Sequence, residues 1–92
     1  MIVSFKHKGL ERFYQTGNTS GIQVVHCRRL QLILTNLDSA QSPSDMNLPG
    51  LRLHELKGNM KGIWSVVVNA NWRVTFCFVG VNVELVNYED YH

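Results

Sequence analysis

The chain has 92 residues and a formal net charge of +2, and 45% of its residues are hydrophobic while only 17% are charged. This composition predicts one globular domain over residues 1–92 and excludes an intrinsically disordered chain. No apolar run approaches the ~20 residues of a membrane span, and the first residues lack the apolar stretch of a signal peptide. The two cysteines are too few for a disulfide framework, so we expect a reducing, cytoplasmic setting.

The N-terminal part of the chain predicts a strand and a helix. Residues 2–5 are mostly apolar and β-prone, which predicts a first strand. The next segment, Lys8–Thr16, predicts a helix that ends before Gly17. Its apolar side chains follow the i, i+3, i+4 spacing of one helical face: Leu10, Phe13 and Tyr14.

A second helix is predicted after the turn GNTSG, where Ser20 and Gln23 have the spacing of a capping box. One side of this helix carries His26, Leu30, Ile33 and Leu37, and the roughly opposite side carries Val25, Arg28 and Leu32. We interpret His26, on the apolar stripe, as a core or boundary histidine. The polar stretch 38–50, which contains two prolines, then predicts a loop.

The chain after residue 50 predicts strands throughout. Leu51 and Leu53 alternate with Arg52 and His54, and the segments IWSVVVN, WRVTFCFV and NVELVNY follow, separated by turns. In WRVTFCFV, alternation places Trp72, Val74, Phe76 and Phe78 on one side and Arg73, Thr75 and Cys77 on the other. The order β-α-α-β-β-β-β predicts an α+β fold, a compact antiparallel sheet with two helices packed on one face.

Polar side chains from three separate segments are expected to meet on the helix-free face of this sheet. Arg73 lies on the polar side of a central strand, His54 shares its side of an earlier strand with Arg52, and YEDYH leaves the last strand beside them. Two imidazoles, His54 and His92, suit acid–base catalysis because histidine titrates near neutral pH. Fixed cations such as Arg73 and Lys57 suit a phosphate that gains charge in its transition state.

The remaining tail residues extend the same chemistry. Asp90 can orient a histidine or accept a proton, and Tyr91 can stack on a base or donate to a phosphate oxygen. The combination fits metal-independent RNA cleavage, in which the 2′-hydroxyl attacks the adjacent phosphate, but these residues alone do not decide between this reaction and other functions. The same residues also permit plainer interpretations: a solvated charged tail, His54 as a surface residue, and Arg73 as a cross-strand ion-pair partner.

Three motifs carry a resemblance to a known family: LHELKG at residues 53–58, SVVVNANWRVTF at 65–76, and the final YEDYH at 88–92. They lie within a continuous run of resemblance over residues 52–92, and with the opening MIVSFKHKGLERFYQTG the match covers nearly the whole chain, so that only the loop 38–50 is uninformative. The sequence resembles the HigB toxins, also called plasmid-maintenance killer proteins, of the RelE superfamily.

The resemblance implies the toxin of a type II toxin–antitoxin pair, a ribosome-dependent endoribonuclease (mRNA interferase) that cuts mRNA in the 30S decoding site and inhibits translation. It implies a RelE-like fold, with a HigA-type helix-turn-helix antitoxin, the ribosome and mRNA as partners. DNA would be contacted only through the antitoxin, and no membrane, cofactor or metal is implied. The implied catalytic residues are His54, Arg73, Asp90, Tyr91 and His92.

Lys57 and Arg73 correspond to the family's phosphate-facing cations. The net charge of +2 fits an enzyme that the ribosome brings to its substrate, because such an enzyme needs only a local basic patch. Further candidates for this patch are Lys6, Lys8 and Lys61.

Some assignments stay open at the level of sequence. The motifs do not fix which histidine is the base, although we favour His92 as base and His54 as acid, and they do not give the codon preference. Two alternatives are a non-catalytic nucleic-acid-binding module and an inactive protein that binds an antitoxin through Val25 and Leu32. The complete set of catalytic residue types favours the enzyme.

Overall fold

Two helices pack on one face of a four-stranded antiparallel sheet in the computed structural model, which describes residues 1–90. The helices are α1 (Lys8–Thr16) and α2 (Cys27–Ser39), and the strands are β1 (His54–Glu55), β2 (Ile63–Asn69), β3 (Trp72–Val79) and β4 (Asn82–Asp90). The strands lie side by side in chain order. The predicted α+β class is therefore confirmed.

The core lies between the helices and the sheet. Its fully buried side chains include Leu10, Leu30, Ile33, Leu34 and Leu37 from the helices, and Val66, Val74, Phe76, Val83 and Val86 from the sheet. Each contributes roughly 1.5–3 kcal/mol by leaving water. The predicted stripe is confirmed, since Leu30, Ile33 and Leu37 of α2 are fully buried while Leu32 is 48% exposed. His26, in the turn before α2, is also buried, at 4% exposed. The loop predicted for residues 38–50 contains one short 3-10 turn, Pro43–Met46, whose Met46 joins the core.

Helix α1 has the bounds that its sequence predicts, and both ends are capped by specific groups. At the start, Nδ1 of His7 accepts a hydrogen bond from the backbone N–H of Leu10 at 2.9 Å. At the end, Gly17 has a left-handed φ of 80°, and its N–H donates to the carbonyl of Phe13 at 2.8 Å. A residue with a side chain would adopt this conformation only with strain, which explains the glycine.

The capping box predicted at Ser20 and Gln23 is wrong, because α2 begins at Cys27 after a 3-10 turn at Val24–His26. Gln23 stays extended, with a ψ of 123°, and makes no side-chain cap. The backbone at Gly21 packs against α1, where a Cβ on Gly21 would lie 2.5 Å from the Cα of Gly9. This close backbone contact accompanies the extended chain between the helices.

The predicted first strand, residues 2–5, is not a regular strand. Two isolated parallel bridges connect it to β4, Ile2 with Val83 and Phe5 with Val86. Between them, Leu85 has a φ of 57°, and its N–H donates to Oγ of Ser4 at 2.9 Å. The pairing of β3 with β4 also shifts register here, between Thr75 and Cys77. The N-terminal segment therefore pairs on either side of a bulge instead of forming a continuous ladder.

The strand predicted from Leu51 begins only at His54. Arg52 interrupts it, because its φ of 52° lies in the left-handed region, which costs a non-glycine residue roughly 1–2 kcal/mol. The preceding backbone is tethered from two directions. The N–H of Val67 donates to the carbonyl of Leu51 at 2.7 Å, and Nη2 of Arg29 donates to the carbonyl of Gly50 at 2.6 Å. Tertiary hydrogen bonds thus hold a conformation that local propensity disfavours.

Candidate active site

The helix-free face of the sheet carries two rows of side chains that are set by strand register. In the first row His54 pairs with Ser65, Ser65 with Thr75, and Thr75 with Asn87. In the second row Val67 pairs with Arg73, and Arg73 pairs with Glu89. Because residues opposite each other on antiparallel strands lie ~5 Å apart, register alone places His54 and Arg73 on neighbouring rows of one surface.

His54 and Arg73 line the same cavity, as the sequence predicted. This cavity has a volume of about 430 Å³, and its lining residues are Arg52, Leu53, His54, Leu56, Ser65, Val67 and Arg73. His54 is exposed and Arg73 is half-buried. Two guanidinium groups and one imidazole therefore border the space, and the described lining residues include no carboxylate. A cavity of this kind suits an anionic group such as a phosphate.

Arg73 is held in place by the turn between β2 and β3. Its Nη1 donates to the carbonyl of Ala70 at 2.8 Å and to that of Trp72 at 3.3 Å. Both of these hydrogen bonds use Nη1, and none is made by Nε or Nη2 with another group of residues 1–90. The backbone contacts position the guanidinium while leaving part of its planar fork for a ligand.

A second, smaller cavity lies on the same face beside β4. It has a volume of about 100 Å³, and its lining residues are Lys6, Met60, Ile63, Thr75, Leu85, Asn87 and Glu89. Thr75 is buried, so the polar side of β3 is less open than alternation alone suggests. Lys6 is thereby brought to the predicted face through the N-terminal segment.

The other predicted lysines lie near this face to different degrees. Lys57 and Lys61 flank the 3-10 turn Gly58–Met60 as its first and last neighbours, and both are exposed. That turn contributes Met60 to the smaller cavity. Lys8 is the first residue of α1 and is not among the described residues that line either cavity. The structure therefore groups Lys6 with the site more closely than Lys8.

The predicted C-terminal site residues are described only in part. Asp90 ends β4, is exposed, and pairs in register with Trp72. Strand alternation places it on the side of Trp72 and Tyr88, one residue beyond Glu89, the register partner of Arg73. Tyr91 and His92 lie outside the described residues. The catalytic roles of Asp90, Tyr91 and His92 remain predictions.

An aromatic and imidazole cluster underlies this end of β4. The hydroxyl of Tyr88 lies 2.6 Å from Nδ1 of His26 and accepts the backbone N–H of Gln23 at 3.3 Å. Trp72 stacks on Tyr88, with ring centroids 4.6 Å apart. Burial raises the pKa of the Tyr88 phenol, against the opposing effect of the Gln23 N–H. The cluster therefore connects the 3-10 turn before α2 to the C-terminal end of β4, next to Asp90.

Arg52 is the cavity residue that sequence patterns do not assign to the site. It lies two positions before His54, and the signal was its predicted place on the same side of the strand.

Within residues 1–90, no three His, Cys, Asp or Glu side chains group in a way that could hold a metal ion. No helix of this part of the chain is long and apolar enough to cross a membrane.

Comparison with known proteins identifies the family. The family model of the HigB-like toxins, described as RelE-like toxins of type II toxin–antitoxin systems, matches residues 3–92. The chain is 44% identical to a protein named Endoribonuclease HigB from Proteus vulgaris, over 92 residues that cover all of both chains. It is 38% identical to a protein named Toxin HigB-1 from Vibrio cholerae serotype O1, over 98 alignment positions that cover all of this chain and 98% of the other. The family predicted from the three motifs is thus confirmed, and the chain belongs to the HigB-like toxins of type II toxin–antitoxin systems.

Proposed function

We propose that this toxin is an endoribonuclease that cuts mRNA on the ribosome by metal-independent acid–base catalysis. The observation that carries the proposal is the cavity shared by His54 and Arg73 on the open face of the sheet. An imidazole can transfer a proton near neutral pH, and a guanidinium can stabilise charge that develops on a phosphate. The name of the relative from Proteus vulgaris supports the same activity.

The proposed reaction needs one base, one acid and one cation. The base takes the proton of the 2′-hydroxyl, whose oxygen attacks the adjacent phosphorus and forms a 2′,3′-cyclic phosphate. The acid donates a proton to the departing 5′-oxygen, so the charge on the leaving group is neutralised. We assign the acid to His54, the base to His92 and phosphate stabilisation to Arg73, with Asp90 and Tyr91 as supporting groups of the tail.

The proposed basic patch is local. Lys57, Lys61 and Lys6 would contact RNA phosphates around the cavity, and Lys8 would contact RNA farther from it. A small patch is sufficient when the ribosome presents the mRNA, because the toxin then needs no large electrostatic surface to capture free RNA. The site of action would be the decoding site of the small subunit in the cytoplasm.

A helix-turn-helix antitoxin of the HigA type is the proposed protein partner. The outer side of α2 and the turn before it expose apolar side chains, with Val24 at 69%, Val25 at 82% and Leu32 at 48%. Such side chains favour a protein-binding surface. The same observation supports the alternative of a purely antitoxin-binding protein, which would leave mRNA intact.

Growth and mRNA integrity test the proposal together. Induction of the chain alone should stop growth and translation, and mapping of mRNA ends should reveal new ends that carry 2′,3′-cyclic phosphates. Co-expression of the cognate antitoxin should remove both effects. Soluble, folded protein that accumulates without new mRNA ends would refute the ribonuclease and favour the binding-protein alternative.

A further inference from the structure

Arg52 is a third cation of the cavity that holds His54 and Arg73. Its side chain is exposed, while Leu51 before it is fully buried and Leu53 after it packs against the core. Among residues 1–90 the guanidinium of Arg52 has neither a hydrogen-bond nor an ion-pair partner. The fold therefore anchors the segment through two leucines and leaves this guanidinium without a described structural contact.

The backbone of Arg52 is in a conformation that glycine would adopt without strain. Its φ is 52°, in the left-handed region. Strained residues persist where the surrounding structure over-determines them, and they are concentrated at ligand-binding and active sites. Here the hydrogen bond from Val67 to the carbonyl of Leu51 and the pairing of His54 with Ser65 hold both sides of the residue. The backbone conformation at position 52 thus does not explain why the residue is an arginine. The guanidinium group itself must account for it.

The two arginines approach the cavity from opposite sides of β2. Val67 bonds to the residue before Arg52 and is the register partner of Arg73. Since adjacent strands are ~4.8 Å apart, two strand spacings place the two backbones roughly 10 Å apart. At this separation the two long arginine side chains can bind the same phosphate, or they can bind two phosphates of one RNA chain. The second arrangement avoids crowding both guanidinium groups on one anion.

We propose that Arg52 binds an RNA phosphate next to the scissile one and so fixes the register of the substrate in the cavity. This inference rests on the proposed ribonuclease activity, because its ligand is the substrate of that site. Arg52 would act in substrate binding, whereas Arg73 would act on the phosphate that reacts.

The test uses the full chain with four substitutions. Arg52→Lys keeps a positive charge, Arg52→Gln removes it, and Arg52→Gly removes it together with the backbone strain. Arg12→Gln, on the exposed part of α1, is the matched control for loss of one positive charge. Arg52→Gly should melt at or above the temperature of the wild type, which separates loss of binding from loss of folding.

Single-turnover cleavage of ribosome-bound mRNA should be measured against toxin concentration. We expect Arg52→Gln and Arg52→Gly to raise the half-saturating concentration about 10- to 100-fold, as for loss of a charge-assisted hydrogen bond, with the maximal rate changed less than about threefold. Arg52→Lys should recover part of the binding, and Arg12→Gln should resemble the wild type. An unchanged half-saturating concentration in both neutral variants, or a loss confined to the maximal rate, would overturn the assignment.

Neutral methylphosphonates, placed one at a time at the phosphates that flank the scissile bond, locate the contact. One of them should weaken binding of the wild type and cause no further loss with Arg52→Gly, because the pair shares one interaction. Equal losses in both proteins at every position would overturn the inference while the ribonuclease stands. If the wild type itself cleaves no mRNA, the proposed function fails, and the role of Arg52 fails with it.

Discussion

Replacement of Tyr88 by phenylalanine should destabilise the fold through one buried hydroxyl. The ring is 4% exposed, so phenylalanine keeps its packing and removes only the oxygen. This oxygen accepts the Gln23 N–H and also makes a hydrogen bond with Nδ1 of His26, in which the tautomer of the imidazole decides which group donates. The substitution leaves the buried Nδ1 of His26 and the N–H of Gln23 without this partner.

The size of the effect follows from these unpaired groups. A buried polar group that loses its partner costs about 1–3 kcal/mol. Gln23 and Tyr88 both line a cavity of about 270 Å³, through which water can reach the Gln23 N–H. The unpaired Nδ1 of His26, which does not line this cavity, should therefore account for most of the lost free energy of unfolding. For a domain of this size, 1 kcal/mol corresponds to about 5 °C in melting temperature. We therefore expect Tyr88→Phe to lower the Tm by about 5–15 °C.

Thermal melts of a double-mutant cycle provide the assay. His26→Leu combined with Tyr88→Phe removes both polar partners, so the double variant should be less destabilised than the sum of the single variants. Tyr14→Phe is the control, because Tyr14 is 37% exposed and water can replace its hydroxyl contacts. A Tyr88→Phe protein that melts like the wild type, or strictly additive single variants, would refute the argument that this hydrogen bond stabilises the fold.

Four further outcomes are expected. Arg73→Ala should reduce single-turnover cleavage about 10²–10³-fold without unfolding by circular dichroism, and Arg73→Lys should restore only part because lysine lacks the planar fork; an unfolded Arg73→Ala would instead mark a structural residue. Removal of His92 should reduce cleavage ~10²–10⁴-fold and alter the free energy of unfolding by at most a few tenths of a kcal/mol, whereas near-equal rates would identify a merely solvated tail. Gly21→Ala should destabilise by roughly 1–3 kcal/mol in denaturant titrations, because its Cβ would lie 2.5 Å from the Cα of Gly9, and an unaffected midpoint would contradict that close approach. Burial lowers the pKa of His7, so the unfolded chain binds more protons near pH 6.5 and stability should fall as the pH drops below about 7; the melting temperature of His7→Asn should depend less on pH, and identical pH profiles would exclude this contribution.

Helix α1 and strand β3 could be predicted from the sequence because local chemistry controls them. The apolar spacing in Lys8–Thr16 and the glycine after it suffice for one amphipathic helix with a left-handed end. In β3, strict alternation separates the core residues Val74 and Phe76 from Arg73 on the opposite face. These signals act between residues a few positions apart, so they are present in the sequence itself.

The family was also accessible from the sequence, because its motifs combine uncommon residue types at defined spacings. The residue types around His54 and Arg73 predicted acid–base catalysis on a phosphate, but they did not predict the distance between the two side chains. Register then decided that these two side chains share one cavity, since β1 and β3 both pair with β2. Sequence spacing alone cannot determine this, because the pairing of strands depends on the whole sheet.

The predicted capping box and the predicted strand start at Leu51 are wrong because contacts between distant segments override local preference there. Gly21 meets Gly9 and the chain stays extended, so the capping box at Ser20 does not form. Arg52 has a left-handed backbone and lies next to β2, so β1 begins only at His54. Arg52 also adds a third cationic or imidazole side chain to the lining of the cavity. Sequence by itself determined the helical and strand periodicities and the family, and it predicted the residues that we propose to react. Tertiary structure decided which backbone groups were held against their propensity, because those conformations depend on hydrogen bonds and close contacts from segments far apart in the chain.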